Sequence, residues 1–450
     1  MADVPADKLT HLFYGFAKIN PDGTVGVFDS WAATDRRIDG DWNTQKPYAG
    51  NFEALNQLKA VNPDLHNMIS IGGWTLSSEF SDVALTDASR QKFAKSAVDF
   101  ITQYGFDGID IDWEYPVGGG QAGNINRPED KHNFTLLLQE LDEQIQIQEA
   151  KDGRDYQLSI AAPAGDDKMA NLELKEIAKY TDFINVMTYD YHGAWESTTN
   201  HQAALYGQPG DTYTIDQTIQ GYLNAGVAPD ELVLGAPLYG RAWKGVNPTA
   251  NGLYQSASGA ATGTWEAGNY DYKDLYNKLQ TDPSYQRYWD NQAKVPYLYN
   301  AKEGIFSTYE DTQSLGHKLD YIKDQGLRGM FFWEASADLN SNSPDSLITQ
   351  AATELLTGNM AANAKVDSLT NVGAASVALG GQPTTDELNR PIASMQDAVN
   401  LGNAPSYNNL GSTDPSVNVV IDTPLKTSLQ SLDALQLTNT HRPIVSPALV

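Results

Sequence analysis

Thirteen residues, Tyr104 to Pro116, reading Y-G-F-D-G-I-D-I-D-W-E-Y-P, constrain this chain more than any other stretch. They carry four carboxylates, Asp107, Asp110, Asp112 and Glu114. A strand repeats every two residues, so Asp110, Asp112 and Glu114 share one face while Ile109, Ile111 and Trp113 take the other. Neighbours on one face lie roughly 6 to 7 Å apart, and like charges at that range in a water-poor site drive at least one carboxyl towards its neutral form. A carboxyl that keeps its proton near neutral pH is a general acid. The plain alternative is an edge strand with a solvated acidic face. The β-branched and aromatic opposite face argues against it, as does the sharp exit through Tyr115-Pro116 into Gly118-Gly119-Gly120. A calcium loop is the other carboxylate arrangement, but its alternating ligands and closing Glu are missing, so no metal is expected.

Composition narrows the partners. A formal charge of −27 and a pI near 4.4 argue against nucleic acid and anionic membrane surfaces, both of which select basic faces. With no cysteine there is no thiolate chemistry and no Cys-ligated metal. No apolar run reaches the roughly 18 residues of a membrane span. The start, Met-Ala-Asp-Val-Pro-Ala-Asp-Lys, has neither the basic nor the apolar region of a signal peptide.

Short apolar strands alternate with helical stretches along most of the chain, the pattern of repeated β-α units around a parallel sheet. Strands are expected at Leu12–Phe16, Asn67–Ile71, Gly108–Glu114, Gln157–Ala162, Phe183–Met187, Leu232–Ala236 and Gly329–Trp333. A helix between the second and third is marked by Asp87 as cap, by Phe93, Ala97, Phe100, Ile101 and Tyr104 at helical spacing, and by Gly105 as stop. Residues 245–305 break the rhythm with Gly, Ala, Thr and aromatics and read as a small α+β insertion; the barrel occupies 1–244 and 306–357. Residues 358–450 are rich in Asn, Ser, Thr, Ala and Pro, with Tyr407 their one aromatic, and read as a linker or disordered tail.

In a β/α barrel, ligands sit at the C-terminal ends of the strands. Here those ends carry Ser70-Ile-Gly-Gly-Trp74, Glu114, Met187-Thr-Tyr-Asp190, Pro237-Leu-Tyr-Gly-Arg241 and Phe332-Trp333-Glu334. Aromatics beside acids suit sugar rings, whose C–H faces stack and whose hydroxyls need hydrogen bonds. Taken singly, Trp74, Trp195 and Trp333 read equally as packing, Tyr189 and Tyr239 as buried rings with local partners, Gly72-Gly73 as a turn, and Arg241 as a structural ion pair. His192 and His201 show no ligand spacing and read as loop residues. Five such strand ends at once tip the balance towards a site.

Asp107-Gly-Ile-Asp-Ile-Asp-Trp-Glu114 resembles the D-x-x-D-x-D-x-E signature of glycoside hydrolase family 18 chitinases, and Ser70-Ile-Gly-Gly73 resembles their S-x-G-G motif. The likeness runs on through Lys8 to Ala17, Met187 to Asp190, Asn200 to Ala204, Leu234 to Arg241 and Gly329 to Trp333, and covers about residues 7 to 357. It implies a TIM (β/α)8 barrel and a chitinase, cofactor-free and monomeric, working outside the cell on chitin or chitooligosaccharides. It also implies substrate-assisted retention. Glu114 is then the acid, Asp112 orients the acetamido N–H, Asp110 shares a proton with Asp112, and Tyr189 holds the acetamido carbonyl. The implied substrate contacts are Phe16, Gly73, Trp74, Met187, Asp190, Trp195, Tyr239, Arg241 and Trp333, with Asp107 chiefly structural. A chitin-binding lectin of the same fold and an endo-β-N-acetylglucosaminidase are the alternatives; Glu114 favours an enzyme over the former, and the insertion disfavours the latter.

One departure stands out. Family barrels have eight strands, and seven are countable here. The family's first, an aromatic-rich strand, should precede Leu12–Phe16, where only eleven residues stand. The expectation is an N-terminally truncated, open barrel of about seven strands, with no replacement strand obvious in the tail.

Overall fold

The computed structural model describes residues 4–37, 47–208, 210–363 and 416–423. Fifteen strands fall within them. In chain order β1 is His11–Ile19, β2 Val25–Val27, β3 His66–Gly72, β4 Gly108–Asp112, β5 Gln157–Ala162, β6 Phe183–Val186 and β7 Leu232–Pro237. Then follow β8 Tyr239–Lys244, β9 Gly259–Ala260, β10 Asn269–Asp271, β11 Tyr285–Asp290, β12 Val295–Asn300, β13 Ile305–Thr308, β14 Gly329–Trp333 and β15 Ser416–Asp422.

The seven expected strands form the parallel series β1-β3-β4-β5-β6-β7-β14, with β2 hairpinned onto β1. The open barrel does not occur. β15 lies between β14 and β1, antiparallel to both, and closes an eight-stranded barrel. In register, Val419 faces Leu12 on one side and Phe332 on the other. The seven residues S-V-N-V-V-I-D alternate as a barrel strand must. Val420 joins Phe13, Met68, Phe183, Met187, Val233 and Phe331 inside the barrel. Val419 and Ile421 pack outward with Leu12, Ile69, Ile109 and Phe332 in the layer beneath the helices. The expectation of a disordered tail averaged this strand into its polar surroundings. The helix Leu347–Asn363 also runs past the expected boundary at 357, and the rest of the tail, including Tyr407, lies outside the described residues.

Local sequence explains the connecting helices. The helix Asp87–Tyr104 starts one residue after its cap. The Thr86 hydroxyl, rather than Asp87, accepts the Ser89 amide at 3.1 Å. Gly105 ends it at φ 77°. A second sheet, in the order β10-β8-β13-β12-β11 with β9 on β8, spans Tyr239–Thr308. It therefore begins at Tyr239, inside the segment expected to belong to the barrel, and carries Arg241 on its own strand β8.

Candidate active site

β4 ends at Asp112, two residues short of the expected Glu114. The alternation nevertheless continues. Trp113 turns away from the acids to stack on Phe80, centroids 5.4 Å apart and 17° between planes, with its edge to Phe134. Its burial locks the chain direction that delivers Glu114. Ser77 holds the turn: its hydroxyl donates to the carbonyls of Gly73 (2.8 Å) and Asp112 (3.1 Å) and accepts the Glu114 amide at 2.9 Å.

Inside the barrel Asp110 accepts three donors, Ser159 Oγ at 2.7 Å, Ser70 Oγ at 2.8 Å and Asn185 Nδ2 at 3.3 Å. Burial pushes its carboxyl upwards and these donors pull part of the way back. Asp112 is raised further, by burial first and then by the charges of Glu114 and Asp110. Its Oδ1 is buried without a protein partner. The Glu114 residue keeps some exposure at the mouth, but its carboxyl end is enclosed. Burial lifts it to about 7, a hydrogen bond with Tyr115 opposes the rise, and Asp190 adds to it. The face predicted from spacing is thus three carboxyls, all displaced towards the protonated form.

Beside them stands a cationic and aromatic group. Arg241 grips Asp190 bidentately, Nε and Nη2 each 2.7 Å from a carboxylate oxygen. Its guanidinium lies 5.0 Å from the Tyr239 ring centre and 5.3 Å from that of Trp195, and 3.7 Å from Glu266 of the second sheet. The Tyr189 ring meets Tyr239 and Phe331 edge-on. Burial pushes the hydroxyls of Tyr189 and Tyr239 far above the usual tyrosine range, so both remain protonated donors. Met187 is buried with Phe331 in the barrel interior.

Phe16 and Trp333 stack at 5.6 Å. Gly73 fits behind Phe16: a Cβ there lies 2.6 Å from the ring, and its amide donates 2.8 Å to the Asp112 carbonyl. Trp74 and Trp195 are 48% and 61% exposed. Asp107 belongs elsewhere. It accepts Lys59, Arg154 at 3.1 Å and the Asn67 amide at 2.7 Å just before β4 begins, the end of the strand remote from Glu114. His201 and His192 pair with Asp290 and Glu196.

Sequence reasoning passed over Ser77, Tyr115, Ser159, Asn185 and Glu266. Ser159 and Asn185 had a signal, since each is a polar residue at an inward position of an otherwise apolar strand. Ser77 and Glu266 had none, because their roles arise from loop geometry and from a second sheet.

A closed β/α barrel with raised carboxyls at the mouth of one strand, beside exposed indoles, is an arrangement suited to a glycoside hydrolase. Residues 2–338 match the profile of the glycosyl hydrolases family 18, and the chain belongs to that family. It is 44% identical to Chitinase A1 of Niallia circulans over 77% of its own length, spanning 55% of that protein. It is 38% identical to Endochitinase 1 of Metarhizium robertsii, over 79% of this chain and 81% of the other. Chitinase ChiA74 from Bacillus thuringiensis superposes with a TM-score of 0.76 at 40% identity, covering 79% of this chain and 67% of that one.

Proposed function

We propose that this chain is a chitinase that cleaves β-1,4-linked N-acetylglucosamine polymers with retention, acting as a monomer outside the cell. The observation that carries the reading is the run of three carboxyls at Asp110, Asp112 and Glu114, raised together and ending in an acid at about 7. Glu114 donates its proton to the glycosidic oxygen as that bond breaks. The acetamido carbonyl oxygen of the substrate forms the new bond to the anomeric carbon, giving an oxazolinium ion, and water later opens it with Glu114 as base. Asp112 Oδ1, buried and unpartnered, is the acceptor for the acetamido N–H. The Tyr189 hydroxyl, kept protonated by burial, donates to the acetamido oxygen. Asp110, fixed by Ser70, Ser159 and Asn185, exchanges a proton with Asp112 as charge develops. Trp74, Trp195 and the Phe16–Trp333 stack bind sugar faces, with Gly73, Met187, Tyr239 and the Asp190–Arg241 pair shaping the pocket between them.

The test compares wild type with Glu114→Gln on a chromogenic chitobioside. Loss of an acid catalyst lowers kcat by roughly 10²- to 10⁴-fold, while chitooligosaccharide binding persists. Equal rates overturn the hydrolase reading.

A further inference from the structure

We propose that the C-terminal strand β15 is a working part of the sugar site, positioning the Trp333 end of the pocket as well as closing the barrel. The proposal rests on the chitinase reading for its substrate, and on the structure for its geometry.

Both ends of the strand are held by specific chemistry. At the end remote from the site, Asp422 lies 3.2 Å from Arg328 Nε and 3.5 Å from His11 Nδ1. There the Thr423 hydroxyl donates to the carbonyls of Arg328 (2.7 Å) and Leu327 (3.2 Å), and Thr10 Oγ donates 3.0 Å to the Val420 carbonyl. These contacts fix the register. Because the strand runs antiparallel to β1 and β14, its earlier residues Val417 and Asn418 arrive at the catalytic end.

There β15 separates the two strands whose aromatic residues stack on each other, Phe16 following Gly15 of β1 and Trp333 ending β14. Glu334, next to Trp333, accepts the Ser336 hydroxyl and the backbone amide of Val417. Val417 thereby ties the chain just beyond Trp333 to the seam. Asn418, opposite Phe13, is one inward step nearer the mouth than Val420, and its Oδ1 is buried without a protein partner. A pocket wall is therefore set by residues some 300 positions after Glu114.

The absence of cysteine allows a direct test of placement on the full chain. Residues directly opposite in an antiparallel pair have Cβ atoms about 4.5 to 5.5 Å apart, near disulfide reach. Leu12→Cys/Val419→Cys and Phe332→Cys/Val419→Cys should each form an intrachain disulfide, read as the loss of two hydrogens in the intact mass. Failure of both pairs, or only interchain bonds, overturns the proposal, and this readout needs no activity. The positioning role is read from kinetics. Val417→Pro removes the N–H and Glu334→Ala removes its acceptor; each should raise KM for the chitobioside about tenfold as Trp333 loses its fixed position, with kcat within threefold. Val417→Ala keeps the N–H and should recover most of that loss. Asp422→Asn, at the far end, should lower Tm without moving KM. If Val417→Pro does not fold, Glu334→Ala decides alone. Unchanged KM in the folded variants overturns the proposal. A wild type without turnover defeats the chitinase reading instead, and chitooligosaccharide dissociation constants then replace KM.

Discussion

Arg241 and Asp190 form a two-pronged ion pair that joins the two sheets at the pocket, for Asp190 follows β6 while Arg241 sits on β8 of the second sheet. A lysine keeps the charge but not the fork. Arg241→Lys should lose one charge-assisted hydrogen bond to Asp190 of roughly 1.5 to 3 kcal/mol, so Tm should fall, and kcat/KM should fall roughly tenfold as the loosened pair no longer holds its place beside Tyr239. A variant with wild-type kcat/KM counts against a role for the fork in substrate binding.

The carboxyl cluster sets a pH profile. Glu114 acts as an acid only while protonated, and its carboxyl is lifted to about 7. In the free enzyme kcat/KM should therefore decline as pH rises through about 7. Asp112 and Glu114 titrate as an interacting pair, so the limb belongs to both. Asp190→Asn removes the negative neighbour that adds to the rise of Glu114, which makes its ionisation easier. The alkaline limb should shift to lower pH. A limb that stays in place shows that Asp190 and Glu114 are not coupled.

Gly73 is constrained twice, by φ 83° and by the Phe16 ring 2.6 Å from where a Cβ would stand. Gly73→Ala should cost about 1 to 3 kcal/mol from strain and overpacking together. Because the displaced ring stacks on Trp333, KM should rise as well. Calorimetry and steady-state kinetics on the same preparation check both effects, and a neutral substitution shows that the turn relaxes freely.

Much of this was legible in the chain because its signals are local. Period-two alternation placed Asp110, Asp112 and Glu114 on one face even though the hydrogen-bonded strand stops at Asp112, since Trp113 must bury its ring. Gly105 marks a helix end with a left-handed residue. What failed was long-range. Nothing near Ser416 announces that its neighbours are Gly15 and the end of β14. Seven β-branched and polar residues weigh little in a polar tail of nearly a hundred, and only their pairing with β1 and β14 gives their alternation a purpose. The start of the second sheet at Tyr239 was hidden for a similar reason, because β7 and β8 are separated by Leu238 alone.

A buried ion pair between near neighbours in the chain is another feature that no motif records. Lys318, in the helix Thr312–Gln325, and Glu310 have side chains 0% and 1% exposed. The lysine donates to Glu310 and, at 2.8 Å, to the Ala203 carbonyl. Burial drives the Glu310 carboxyl up and the Lys318 ammonium down, and each partner's charge opposes the other's shift. Two desolvated charges of this kind add little net stability, yet breaking the pair strands one of them. Lys318→Met should destabilise the protein by about 3 to 5 kcal/mol, read as a fall in the urea midpoint. Adding Glu310→Leu should recover much of that loss, because the stranded carboxyl is then gone. If the double variant is as unstable as the single one, the cost lies in the lost bond to Ala203 and its loop, and the pair's charges are secondary.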